Sequence, residues 1–134
     1  VYATDFHDSD MNCIRQLVTL ATPTEATIIV LHVTNNSDPD QVFEATYFED
    51  FKAEVAESID YPHLNFELVH AGDLVDALNN YANAESIDLL AMAKSGKNWF
   101  ERLFSPSITR KQFYRSTVPT LFFSVAKPQA DSDL

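Results

Sequence analysis

Hydrophobic residues in this chain fall into short β-branched runs, separated by segments where they recur at every third or fourth position. The clearest run is ATIIVLHV at 26–33, a continuous apolar stretch typical of a strand covered on both faces. Residues 1–4, 65–70, 87–92 and 117–125 read as further strands. Between them the spacing becomes helical. Asp8, Ser9 and Asp10 offer N-caps to a helix marked by Ile14, Leu17, Val18 and Ala21, which Pro23 stops. Phe43, Tyr47, Phe51, Val55 and Ile59 step by four and predict a second helix packed by aromatics, ended by Pro62. Gly72-Asp73 reads as a turn and cap before a third helix marked by Leu74, Leu78 and Tyr81. Ser105 to Ser107 can cap a fourth helix, running to about Arg115.

Strands alternating with helices predict an α/β fold, a five-stranded parallel open sheet with helices on both faces. Its crossovers should be right-handed. In such sheets a ligand lies beyond the C-terminal strand ends, where the strand order reverses. With a flavodoxin-like order 3-2-1-4-5, that crevice lies between strands one and four. Strand one ends at Asp5-Phe6-His7, strand two at Val33-Thr34, and strand four at Ala93-Lys94-Ser95-Gly96. Asp5 and the strand-four loop are therefore expected to face each other.

Charge sharpens this expectation. The chain carries a net charge of -11, yet six of its nine Lys and Arg residues lie between Lys94 and Arg115, against the single acid Glu101. A positive island on an acidic protein attracts an anion or an acidic partner. Gly96 permits close backbone approach. Ser107 and Thr109 stand at the predicted helix start, where free N–H groups favour phosphate. Lys94, Lys97 and Arg102 supply charge. Together these residues read as a phosphate cradle; the alternative is an ordinary helix start with a solvated basic face. Trp99, Phe100 and Phe104 make the segment more apolar than a bare cradle and read as a lid over the crevice or its filling.

The remaining numbers bound the rest. At 134 residues the length fits one domain, assigned to 1–126, followed by a polar acidic tail at 127–134 that reads as disordered. One cysteine, Cys13, excludes an internal disulfide and fits a reducing compartment, so a cytoplasmic location is expected. No apolar run is long enough to span a membrane. The pI of about 4.5 argues against a nucleic-acid partner. His7, His70 and nearby acids match no closed zinc pattern, so no metal is expected, and His32 and His63 are assigned to structure or surface. No catalytic nucleophile with its base can be assigned. A phosphorylated receiver is disfavoured because strand three ends in Leu68-Val69-His70, without an acceptor aspartate.

ATDF with Asp5, the strand ending LHV, Gly72-Asp73, SIDLLAM and the closing VPTLFFS together resemble the universal stress protein (UspA-like) family over nearly the whole chain. Nucleotide-binding members carry G-x2-G-x9-G-[ST] after strand four. On that spacing this chain has Ala93, Gly96, Pro106 and Ser107, keeping the second Gly and the final Ser. KSGKNWFERLFSPSITRK resembles a divergent branch with two domains in tandem, and the chain resembles the second of them. This implies a piece of a longer polypeptide, which its abrupt start at Val1 also suggests.

The resemblance implies that Asp5 and the main chain near Val33 would hold adenine and ribose. The 93–96 loop and Ser107 would hold phosphates. Ala93 adds a methyl where backbone should approach phosphate, and Pro106 deletes an N–H from the helix start. The expectation is therefore a stress-response domain, read as non-enzymatic, acting through dimerisation or domain pairing with a degenerate nucleotide site. An ATP or AMP sensor and a weak nucleotide hydrolase are the alternatives. Val118, Pro119, Thr120, Leu121, Phe122, Phe123, Ser124 and Val125 form an apolar edge strand, with Pro119 in keeping with an edge. Such an edge invites pairing. It is the expected interface with a second copy or with a preceding tandem domain, and Leu121→Lys with Phe123→Lys is expected to separate the partners provided those side chains face the partner.

Overall fold

The computed structural model describes residues 1–35, 41–94 and 118–124. In chain order these form β1 (Tyr2–Ala3), α1 (Asp10–Ala21), a 3-10 turn (Thr22–Thr24), β2 (Ile28–Asn35), α2 (Gln41–Ser58), β3 (Leu64–Ala71), α3 (Leu74–Ala84), β4 (Leu90–Ala93) and β5 (Thr120–Phe123). The strands make one parallel sheet in the order β3-β2-β1-β4-β5, as the sequence predicts. The expected fourth helix, Gly96, Lys97, Trp99, Phe104, Ser107, Thr109, Val125 and the tail lie outside the described residues.

Side-chain alternation along the strands divides the core in two. Tyr2, Ile28, Val30, Ala91 and Phe123 cluster with Cys13, Ile14, Leu17 and Ala21 of α1 and Val55 of α2. Ala3, Leu31 and Met92 cluster with Leu78 of α3 on the other face. Burying a side chain of this size stabilises by roughly 1.5–3 kcal/mol. The β1 strand is only two residues long, yet it is held on both sides, by β2 and by β4. It is thus the axis about which the strand order reverses.

Caps decide where the helices start. Asp73 accepts a hydrogen bond from the Asp76 N–H at 2.9 Å and caps α3, as its position after Gly72 suggests. At α1 the outcome differs. Ser9 occupies the N-cap without a side-chain cap bond, and Asp10, a candidate cap, turns inward.

The aromatic step of four on α2 holds only in part. Phe48, Val55 and Ile59 are buried and Phe51 packs against them, whereas Phe43 and Tyr47 are 61% and 60% exposed. A step of four turns 400° on a helix with 3.6 residues per turn, so the stripe drifts about 40° each time. Three steps back from Val55 it has rotated off the core.

The proviso that Leu121 and Phe123 face a partner is not met. Phe123 is 8% exposed and stacks 6.5 Å from Tyr2, and Leu121 packs against the same cluster. A parallel strand turns its side chains to the two faces of the sheet. Only main-chain groups and flanking residues can address a partner along the edge.

Candidate functional site

Of the expected site residues, Asp5, Val33, Ala93 and Lys94 fall at or just beyond the C-terminal ends of β1, β2 and β4. Pairing of Tyr2 with Val30 and with Ala91 sets the register of β1 against both neighbours. Asp5 lies two residues beyond the last paired position of β1, Ala3, and the neighbouring strands β2 and β4 end at Asn35 and Ala93. The Thr4 N–H donates to the Leu31 carbonyl at 2.8 Å, and the Lys94 N–H to the Phe123 carbonyl at 2.8 Å, carrying the ladders to the rim. Asp5, Val33 and Ala93 are half-buried, and Lys94 is exposed. Near this reversal point Asp5 can accept from hydroxyls or an amine, and Lys94 can attract phosphate. Gly96, Lys97, Ser107 and Thr109 lie outside the described residues.

Beneath this rim lies a polar unit that the hydrophobic pattern conceals. Asp10 is 1% exposed. It accepts from the Tyr2 hydroxyl at 2.5 Å, the Thr4 hydroxyl at 2.6 Å and the His7 N–H at 3.1 Å. Burial raises its pKa despite these bonds, with Asp5 adding to the rise. Burial and the Asp10 charge likewise push the Tyr2 phenol up. Burial also raises the Cys13 thiol. The three bonds to Asp10 tie the β1–α1 loop, which carries Asp5, to the body of the sheet.

Across Thr4 lies a second buried group. His32 Nδ1 sits 2.7 Å from the Thr4 carbonyl and so carries the proton that it donates there. Its Nε2 lies 3.7 Å from Glu44 Oε2 on α2. Phe6 covers the imidazole at a centroid distance of 4.1 Å and meets Phe48 and Phe51 edge-on. To do so Phe6 takes φ 64°, in the left-handed region, at a cost of about 1–2 kcal/mol. The sequence assigned His32 to structure or surface, and the structure places it inside. A lone histidine in ATIIVLHV and a polar threonine ending the first strand were the available signals.

Burial lowers the His32 pKa, partly offset by the Thr4 carbonyl, Glu44 and Asp5. A histidine with a lowered folded pKa binds its proton more readily when unfolded. Stability from this group is fully present above the unfolded value of about 6.5 and is lost as pH falls below it. The wild-type protein should therefore lose stability between pH 7 and pH 5 faster than His32→Asn, measured by urea unfolding at a series of pH values. Equal slopes for the two proteins would contradict this assignment.

A cavity of about 470 Å³ opens at the opposite end of the sheet, lined by Leu17, Ala21, Ile28, Ile87 and Leu89 with Glu85 and Asp88. Among the described residues its lining has two acids and no Lys, Arg or His side chain, which disfavours a phosphate. Strand topology favours the other end of the sheet for a ligand.

An open parallel sheet reversing beside Asp5 defines a doubly wound α/β protein with a crevice at its switch point. The family model for the universal stress protein family matches residues 1–124, and the chain belongs to that family. Among solved structures it is similar to a universal stress protein in complex with cAMP, at TM-score 0.67 and 16% identity, covering 93% of this chain and 95% of the other. It is also similar to the hypothetical protein MJ0577, at TM-score 0.65 and 17% identity, covering 94% of each chain. A universal stress family protein from Burkholderia pseudomallei matches at TM-score 0.58 and 16% identity, covering 90% of this chain and 91% of the other. At these identities the likeness is one of fold. No curated protein matches the chain.

Proposed function

We propose that this chain is a paired stress-response domain whose switch-point crevice retains the adenosine half of a nucleotide site and has a weakened phosphate half. The observation that carries this reading is the reversal of strand order between β1 and β4, with Asp5 just beyond the C-terminal end of β1. Asp5 accepts from the ribose or the base, and the main chain at Val33 meets the base edge. Lys94, with Gly96, Lys97, Ser107 and Thr109, meets the phosphates. Ala93 and Pro106 stand where the nucleotide-binding pattern has glycine, so a triphosphate meets an added methyl at one position and loses one backbone donor at the other. The cAMP complex of a structural neighbour supports an adenine ligand.

Sensing is the function this reading assigns: occupancy of the crevice would bias the pairing of domains along β5. The sequence lacks an assignable nucleophile and base, so hydrolysis is not part of the proposal. Isothermal calorimetry with AMP and ATP tests it. AMP should bind in the micromolar to millimolar range, with ATP no more than a few-fold tighter. Asp5→Ala should weaken both by about tenfold, which is one lost charge-assisted hydrogen bond. Submicromolar ATP binding would show that the replaced glycines do not matter. Affinity unchanged in Asp5→Ala would remove Asp5 from the site.

A further inference from the structure

The outer face of α2 carries a surface that the nucleotide reading does not use. Phe43 and Tyr47, one turn apart, are 61% and 60% exposed. The same helical stripe continues through Asp50, Glu54 and Glu57, all exposed. Opposite it, Phe48, Val55 and Ile59 are buried in the sheet. One face of the helix therefore holds the fold together, and the other sets two large aromatic rings beside three acids. At about 1.5 Å per residue the stripe from Phe43 to Glu57 runs roughly 21 Å, or four turns.

Neither half of this stripe favours the isolated helix. Two adjacent exposed rings of this size leave apolar surface in water. Acids toward a helix C-terminus oppose the macrodipole, and the last turn of α2 carries no basic residue to offset them. The one lysine of the helix, Lys52, lies elsewhere, 6.0 Å from the Phe66 ring.

We propose that this face docks a basic amphipathic segment of a partner protein, about four turns of helix in length. Apolar and Arg or Lys side chains of that segment would lie over Phe43 and Tyr47, where cations are attracted to ring faces. Its remaining cations would meet Asp50, Glu54 and Glu57. Charge decides between occupants. A second copy of the same stripe would bring three more acids against these three. A nucleic acid or an anionic lipid surface would be repelled. A cationic helix laid along a groove or face is a recurrent recognition mode.

The probe is a synthetic 15-residue Lys/Arg-Leu amphipathic peptide, titrated into the full chain carrying 15N, with an acidic amphipathic peptide as control. Amide shifts should map to residues 43–57, the acidic control should not bind, and affinity should fall as salt rises. Phe43→Ser with Tyr47→Ser leaves the net charge unchanged and both positions are exposed, so the fold and its melting temperature should persist while affinity drops at least tenfold. Asp50→Asn, Glu54→Gln and Glu57→Gln together should flatten the salt dependence. Absence of binding, shifts centred elsewhere, or affinity that follows net charge alone and ignores the Phe43/Tyr47 change would overturn the proposal. A change of oligomeric state in that double variant would also overturn it, by making this face a contact between copies.

Discussion

Replacing Asp10 with alanine should destabilise the protein by about 3 kcal/mol or more, the largest single loss among its polar residues. Its carboxylate receives three donors, the Tyr2 and Thr4 hydroxyls and the His7 N–H. Tyr2 and Thr4 are both 0% exposed, so water cannot replace the lost acceptor. Each buried polar group left unsatisfied costs about 1–3 kcal/mol. Asp10→Asn should cost less, because an amide oxygen still accepts one bond and the hydroxyls can turn to accept from its NH₂. The pH dependence separates the charge from the bonds. The folded pKa of Asp10 is raised from 3.8, so the folded state holds the proton more tightly. Stability from this group is fully present below the unfolded pKa and is lost as pH rises through the folded one. The deficit of Asp10→Asn relative to wild type should therefore shrink as pH rises from below 4 toward neutrality. Urea unfolding at a series of pH values measures this, and a deficit that grows with pH would contradict it.

The second large effect concerns β5. Two pairs of substitutions on this strand should have opposite consequences. Leu121→Lys with Phe123→Lys should unfold the domain, because Phe123 is 8% exposed against Tyr2 and Leu121 packs on the same cluster. Burying either charge unpaired costs several kcal/mol. Thr120→Lys with Ser124→Lys should leave the sheet folded, since Thr120 is half-buried and Ser124 exposed. The carbonyls of Pro119 and Phe123 accept from β4, so the alternation turns the main-chain groups of Thr120, Phe122 and Ser124 the other way. An antiparallel partner centred on Phe122 would set position 120 against position 124 of the other copy. Lysines there repel across the two-fold axis. Light scattering of the proposed dimer should fall to the monomer mass in this pair, with circular dichroism unchanged. A wild-type monomer at micromolar concentration would dispose of the pairing proposal.

The sheet was legible in the sequence because its signals are local and repeated. β-branched runs mark β2 and β3, the helical spacings between them mark the crossovers, and alternation of the two leaves little choice of topology. The crevice was legible for the same reason, since topology alone locates the reversal beside Asp5. The polar unit below it was not. Tyr2, Thr4, Asp10, His32 and Glu44 are separated in sequence and converge only when β1, β2, α1 and α2 pack. Each has an innocuous local reading, as strand residue, cap or surface acid. Phe6 was hidden for another reason. Its positive φ contradicts the local preference of an aromatic, and only the ring contacts with His32, Phe48 and Phe51 explain it. The sequence likewise could not separate the two roles of the α2 aromatics, because a step of four looks regular until its drift around the helix is counted.

The proposed adenine-nucleotide site is the crevice at the switch point. Amide-resolved NMR titration of the chain with AMP tests it most directly. Shifts should concentrate at residues 4–7, 33–35 and 93–94, saturate in the micromolar to millimolar range and diminish in Asp5→Ala. Shifts centred instead on Leu17, Ile28, Ile87 and Leu89 at the far end of the sheet, or no shifts at several millimolar AMP, would contradict it.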